Sequence, residues 1–202
     1  LELGGKNPLV VCDDANSDNA VKWVCLSAFS NAGQRCASGS RIIIFENIYE
    51  QFKEKLLVAI DSLSIGNDDD DDLGPVINEQ QINNMLASVE CAKISGASIL
   101  AGGYRLNSEL HKNGFYMAPT LIEGVNPQDD ISKKELFGPI AILYKAKDFS
   151  EAIEVANDSP YGLTACIHTN NYHRAMEFTN KVKCGAVVVN AGTYGSEPHM
   201  PF

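Results

Sequence analysis

The chain reads as an α/β protein, a doubly wound and mostly parallel sheet with helices on both faces. Short continuous apolar runs, Pro8–Cys12, Arg41–Phe45, Ile140–Tyr144 and Ala186–Asn190, have the character of strands buried on both sides. Between them lie stretches with helical spacing, and strands alternating with helices indicate parallel crossovers. No linker or internal repeat divides the sequence, so residues 1–202 are read as one domain.

In order, Pro8–Cys12 is the first buried strand. Asp13, Asp14, Asn16 and Ser17 offer caps for a helix over 17–30, in which Ala20, Trp23, Val24, Ser27 and Ala28 fall near helical spacing. Arg41–Phe45 is a second strand. Tyr49–Leu63 is an amphipathic helix through Phe52, Leu56, Leu57 and Ile60. Asn67–Asp72 is a solvated acidic turn, because it lacks the alternate spacing and glycine of a calcium loop. A helix over 79–95 and a strand over 98–101, ending at Gly102-Gly103, follow. Gly114–Ile122 is extended and aromatic-rich. Ile140–Tyr144 is a strand, 151–157 a helix, 164–169 a strand, 172–182 a helix and 186–190 a last buried strand.

Composition bounds the function. The 202 residues are 45% hydrophobic and 21% charged, which suffices for an ample core without staples. A net charge of -10 argues against nucleic-acid binding, which needs clustered Lys and Arg. No apolar run approaches the ~18 residues of a membrane span. The six cysteines form no CxxC pair and several sit in apolar runs, so a reducing cytoplasmic setting is expected. The four histidines have no zinc-ligand spacing, so no metal is expected. The chain starts without methionine and stops in mid-phrase at Pro201-Phe202, and is read as a piece of a longer protein.

The stretch richest in chemistry is Phe29–Arg41, FSNAGQRCASGSR. A polar, glycine-containing turn delivers Cys36 beside Arg35 and small residues. A neighbouring cation and oriented backbone amides lower a thiol's pKa toward the reactive range. At the other end of the argument stands Glu2, held by Leu3-Gly4-Gly5, a carboxylate able to act as general base.

LELGGK at 1–6, FSNAGQRCASGSR at 29–41, ELFGP at 135–139, SPYGLTA at 159–165 and HMPF at 199–202 together resemble the aldehyde dehydrogenase superfamily, in its order and roughly its separations. The resemblance implies that Cys36 is the nucleophile that takes an aldehyde to a thiohemiacetal. Hydride then passes to NAD or NADP, leaving a thioester that water hydrolyses with Glu2 as base. The Cys36 N–H forms half of an oxyanion hole, and the other donor belongs upstream. Glu135 and Phe137 match positions that grip the nicotinamide ribose and steady the ring, and Leu3, next to the base, brushes the nicotinamide. Asn31 and Gly33 shape the cysteine turn, and Arg41 anchors it. The resemblance further implies a small aldehyde substrate, a homo-oligomer (dimer or tetramer), and a cofactor-binding domain and oligomerisation strand outside this stretch. The piece alone is therefore expected to bind coenzyme poorly and not to turn over.

Substrate choice is expected to involve Arg35, a fork-shaped cation suited to a carboxylate on a semialdehyde, or else a group pointing to solvent or a nearby acid. Glu197 and His199, in the segment YGSEPH, are further substrate candidates. A CoA-acylating relative and a non-catalytic structural descendant are the competing readings. Glu2 favours water over CoA, and the joint presence of Cys36 and Glu2 opposes the second.

Overall fold

The computed structural model describes residues 2–194. Its strands are β1 (Asn7–Val11), β2 (Gly39–Phe45), β3 (Ser98–Ala101), β4 (Thr120–Glu123), β5 (Ile140–Ala146), β6 (Thr164–His168) and β7 (Ala186–Val189). The helices are α1 (Ser17–Phe29), α2 (Tyr49–Asp61), α3 (Glu79–Ile94), α4 (Asp130–Lys133), α5 (Phe149–Asn157) and α6 (Tyr172–Lys181). The strands form one sheet in the order β3-β4-β5-β2-β1-β6-β7. Every neighbouring pair is parallel except β3–β4. The expected doubly wound sheet is thus present, with one antiparallel edge.

Alternation along the central strands divides the core into two layers. Leu9, Val11, Ile42 and Ile44 pack under α1 and α2, against Val24, Phe52 and Leu56. Val10, Ile43, Ile142 and Ile167 pack on the opposite face against α3, α5 and α6, through Met85, Ile153 and Phe178. Residues buried on alternate faces of one strand explain why these segments read as unbroken apolar runs. Four helices begin with an Asx side chain accepting a first-turn N–H: Asn16, Asn78, Asp148 and Asn171. The Asp148 cap starts α5 at Phe149, two residues before the expected Glu151.

The two ends of the sheet differ. At the carboxyl ends, Asp14 accepts from Thr169 Oγ1 at 2.8 and 2.9 Å and from the Asn170 N–H at 3.0 Å. Arg174 in the first turn of α6 pairs with both Asp13 and Asp14 and holds the Asp13 carboxyl below its ordinary range. This network fills the β1–β6 crevice, the place where open α/β sheets usually bind ligands. The amino ends are where the sequence motifs arrive. Gly4-Gly5-Lys6 leads into β1, the cysteine turn into β2, Gly138-Pro139 into β5 and Tyr161-Gly162-Leu163 into β6. Since β5, β2, β1 and β6 are consecutive and parallel, four motifs distant in sequence are delivered to one edge of the sheet.

Candidate active site at the amino ends of the central strands

After α1 the chain turns through three successive left-handed residues, Asn31 (φ 54°), Ala32 (φ 50°) and Gly33 (φ 65°). For Asn and Ala this conformation costs roughly 1 kcal/mol each, so the surroundings must hold it. Gln34 ties the turn to a neighbouring loop, donating to the Pro75 carbonyl at 3.1 Å and accepting the Ile77 N–H at 2.9 Å. Ser38 Oγ donates back to the Gly33 carbonyl at 3.1 Å. Gly33 also abuts the loop before β5, because a Cβ there would lie 2.1 Å from the Gly138 carbonyl oxygen. Cys36 emerges half-buried from this turn.

The loop before β1 meets it backbone to backbone. A Cβ on Gly5 would lie 2.0 Å from the Cys36 carbonyl oxygen, so only glycine permits the approach. The Gly5 N–H donates to Glu135 Oε1 at 3.0 Å. A Cβ on Gly4 would sit 2.8 Å from the Tyr161 ring and 3.0 Å from Glu135 Oε2. The double glycine is therefore clasped by the cysteine loop, the Glu135 carboxylate and the Tyr161 ring. Glu2 and Leu3, at the outer end of that loop, are exposed. Glu2 makes no hydrogen bond among the described residues; its loop reaches Cys36 through the Gly5 backbone.

Glu135-Leu136-Phe137 is held from α3, where Gln81 Nε2 donates to the Leu136 carbonyl at 2.6 Å. Phe137 is left-handed (φ 54°) and its side chain remains 41% exposed. An exposed aromatic on strained backbone, beside a carboxylate with one oxygen not hydrogen-bonded among the described residues, could hold a coenzyme's ring and hydroxyls. Arg35, Lys6, Ser38, Glu135 and Phe137 line a small cleft open to solvent.

Arg35 neither points into solvent alone nor pairs with an acid among the described residues. Its Nη1 donates to Ser30 Oγ at 3.0 Å and its guanidinium lies 4.7 Å from the Tyr194 ring centroid. Arg41 departs from expectation. It does not anchor the cysteine turn; buried within the sheet, it donates to the Val155 and Ala156 carbonyls at 2.7 and 3.3 Å. These are carbonyls at the carboxyl end of α5, where a cation complements the helix dipole. Glu197 and His199 lie outside the described residues. Among the described residues no cluster of His, Cys, Asp or Glu has metal-site geometry.

Sequence reasoning missed the residue that organises the site. Asn7, 2% exposed, donates through Nδ2 to the Cys36 and Ser38 carbonyls, both at 2.8 Å. Its Oδ1 accepts the Thr164 N–H at 3.1 Å. One side chain thus joins the starts of β1, β2 and β6. A lone asparagine ahead of an apolar strand carries no local signal for that role.

With four sequence motifs converging on one edge of this sheet, fold and site together define a member of the aldehyde dehydrogenase family. A family model described as "Aldehyde dehydrogenase family" matches residues 1–202, and the chain belongs to that family. It is 39% identical over its whole length to the α-ketoglutaric semialdehyde dehydrogenase of Bacillus subtilis, covering 42% of that protein. It is 37% identical to the α-ketoglutarate semialdehyde dehydrogenase of Haloferax volcanii, again covering 42%. Betaine aldehyde dehydrogenase from Staphylococcus aureus, solved in complex with NAD+, superimposes with a TM-score of 0.92 at 35% identity, over 95% of this chain and 38% of that one. The chain therefore spans about two-fifths of the relatives it matches.

Proposed function

We propose that the protein to which this chain belongs oxidises a small aldehyde to a carboxylic acid, with NAD or NADP as acceptor. The observation that carries this reading is the Gly5 backbone, packed on the Cys36 carbonyl and hydrogen-bonded to Glu135. That contact, which joins the loop of Cys36, the Glu135 carboxylate and the loop that begins at Glu2, supports the reading.

Cys36 Sγ, as thiolate, adds to the aldehyde carbon to give a thiohemiacetal whose oxyanion is met by the Cys36 N–H. Loss of hydride from that carbon leaves a thioester on Cys36. Glu2 takes a proton from water, whose oxygen attacks the thioester; the acid leaves and the thiol is regenerated. A nicotinamide coenzyme, when bound, supplies the hydride acceptor. Glu135 would hold its ribose hydroxyls, and Phe137 with Leu3 would flank the ring. The sum is aldehyde, water and oxidised coenzyme giving acid, reduced coenzyme and a proton.

The NAD+ complex of the S. aureus neighbour supports the coenzyme, and the solved forms of that protein with a BME-modified cysteine support a reactive thiol. Two relatives act, by name, on a semialdehyde that carries a carboxylate, which supports Arg35 as the substrate-carboxylate partner. Its stack on Tyr194 fixes one face of the guanidinium and leaves an edge for a ligand. Glu197 and His199 remain candidates for the same pocket. A homo-oligomer is proposed too, since β7 lies at the sheet edge with Val189 42% exposed. No described helix is long and apolar enough to cross a membrane; a cytoplasmic setting is proposed from the six unpaired cysteines.

Single-turnover kinetics of the full-length protein test the chemistry. Glu2→Gln should release about one equivalent of reduced coenzyme per site and then stall at the thioester, and Cys36→Ser should release none. Sustained turnover by Glu2→Gln without added CoA would contradict the role given to Glu2. For Arg35→Ala, kcat/KM should fall on a carboxylated aldehyde by about 10-fold or more relative to a plain one. Equal losses on both would remove Arg35 as the selector.

A further inference from the structure

Phe137 carries a backbone conformation that its side chain does not favour. Its φ of 54° is left-handed, a region open to glycine and asparagine but costly for an aromatic residue. That angle is set by the peptide plane joining Leu136 to Phe137, because rotating the plane by half a turn moves the φ of Phe137 into the negative range that any residue adopts. Among the described residues one hydrogen bond holds this plane: Gln81 Nε2 donates to the Leu136 carbonyl at 2.6 Å. The net worth of one hydrogen bond and the strain of one left-handed residue are similar in size, so removing this bond is enough to tip the plane toward its relaxed orientation.

Gln81 is a firm anchor. It sits in the first turn of α3, where Asn78 caps the helix by accepting the Gln81 N–H at 2.8 Å. Just ahead of that cap, Gln34 of the cysteine turn donates to the Pro75 carbonyl and accepts the Ile77 N–H. One turn further along the same face of α3, Met85 is buried against Gly138; a Cβ on Gly138 would lie 2.4 Å from the Met85 sulfur. The Gly138 carbonyl in turn abuts Gly33, where a Cβ would lie 2.1 Å from it. The residue after Phe137 is thus wedged between α3 and the cysteine turn, while the residue before it hangs on Gln81. Turning the Leu136–Phe137 plane leaves that wedge in place and changes the rotamers open to the Phe137 ring, which lines the same cleft as Glu135.

We propose that Gln81 is a positioning residue for the nicotinamide end of the coenzyme: it locks the Leu136–Phe137 peptide in its left-handed orientation and so presents the Phe137 ring to the cleft. The proposal rests on the reading that Glu135 meets the coenzyme ribose and Phe137 the nicotinamide ring. The Gln81 amide acts through the one carbonyl it holds. Glu135 is held separately, by the Gly5 N–H at 3.0 Å, so the ring contact and the ribose contact have different supports. Loss of the Gln81 bond is therefore felt by a ligand that has the ring and not by one that lacks it.

The test measures dissociation constants of the full-length protein for NAD+ and for ADP-ribose, which keeps the ribose and lacks the nicotinamide. The proteins compared are the parent, Gln81→Met, Gln81→Glu, Phe137→Gly, Glu135→Gln and the Gln81→Met/Phe137→Gly double variant. Methionine keeps the length without a donor. Glutamate keeps the shape, puts an acceptor where the donor was, and suits the first turn of a helix, so it carries the test should methionine fold poorly. Both Gln81 variants should weaken NAD+ by about 5-fold or more, the scale of one lost hydrogen bond, and leave ADP-ribose within about 2-fold of the parent. Phe137→Gly should show the same pattern, Glu135→Gln should weaken both ligands, and the double variant should be no weaker than Phe137→Gly alone. If Phe137→Gly weakens NAD+ selectively while the Gln81 variants keep the parent affinity, or weaken both ligands equally, the role of Gln81 is refuted and the coenzyme reading stands. A double variant weaker than Phe137→Gly alone refutes it too. If Phe137→Gly leaves NAD+ affinity unchanged, or Glu135→Gln leaves both unchanged, the coenzyme reading itself fails.

Discussion

Asn7→Asp changes one atom of the side chain that ties the site together. The carboxylate keeps the shape and still accepts the Thr164 N–H, but it presents an oxygen where the amide presented two N–H groups to the Cys36 and Ser38 carbonyls. Two part-buried hydrogen bonds contribute about 1 kcal/mol each, and a carbonyl left unpaired costs up to a further ~1–3 kcal/mol. A protonated aspartic acid recovers one of the two bonds. The balance is roughly 2–5 kcal/mol against the closed conformation of the cysteine loop, which is about 30-fold to several-thousand-fold in the local opening equilibrium. Hydrogen–deuterium exchange of the full-length protein reads this directly. Peptides spanning residues 31–40 should lose protection by that factor, while α3, which Asn7 does not touch, should stay within about 2-fold. The dehydrogenase rate should fall with the loop. Unchanged exchange over 31–40 in a folded Asn7→Asp protein would refute the reasoning that this side chain carries the loop.

Other perturbations follow from the same geometry. Gly33→Ala should destabilise by at least ~2 kcal/mol, from left-handed strain and the 2.1 Å approach to the Gly138 carbonyl; denaturant midpoints near the parent's would contradict it. His168, 1% exposed with neither ring nitrogen hydrogen-bonded among the described residues, is pushed down to about 4 by burial, the Ala191 backbone opposing the shift. Above about 6.5 the imidazole is neutral in both states. Below it the unfolded chain takes up a proton that the folded ring refuses until about 4, so stability drains away as pH falls through that window, by roughly 3 kcal/mol in all. His168→Phe should remove that slope and raise the melting temperature at pH 7; a parent-like pH slope in the variant would contradict the assignment.

Much of the fold was legible because the central strands are buried on both faces. Val10 and Ile43 point to one helical layer and Leu9 and Ile42 to the other, so each strand appears as an unbroken apolar run. What stayed hidden was short or non-local. α4 spans four residues, too few for any periodicity to register. The strand over 98–101 was legible, but its antiparallel pairing was not, because that depends on β4 rather than on its own residues. The site was visible through its glycines and its thiol, whose spacing follows from close backbone approach. Its supports were not. Asn7 reads as an ordinary loop polar residue, and Arg41 bonds to carbonyls 114 and 115 positions further along the chain. Nor does local pattern reveal that Lys6, a cation just ahead of β1, is buried.

The most direct trial is a race among the six thiols. Full-length protein is treated with a limiting dose of iodoacetamide at pH 7, and each cysteine is followed by mass spectrometry. Cys91 is exposed and Cys36 only half-buried, so access alone would favour Cys91, while Cys12, Cys25 and Cys166 are sealed in the core. If the turn before β2 holds a working nucleophile, Cys36 is labelled fastest, by about 10-fold or more, and an aldehyde substrate slows that labelling. Cys91 overtaking Cys36, with no effect of aldehyde on either, would contradict the account.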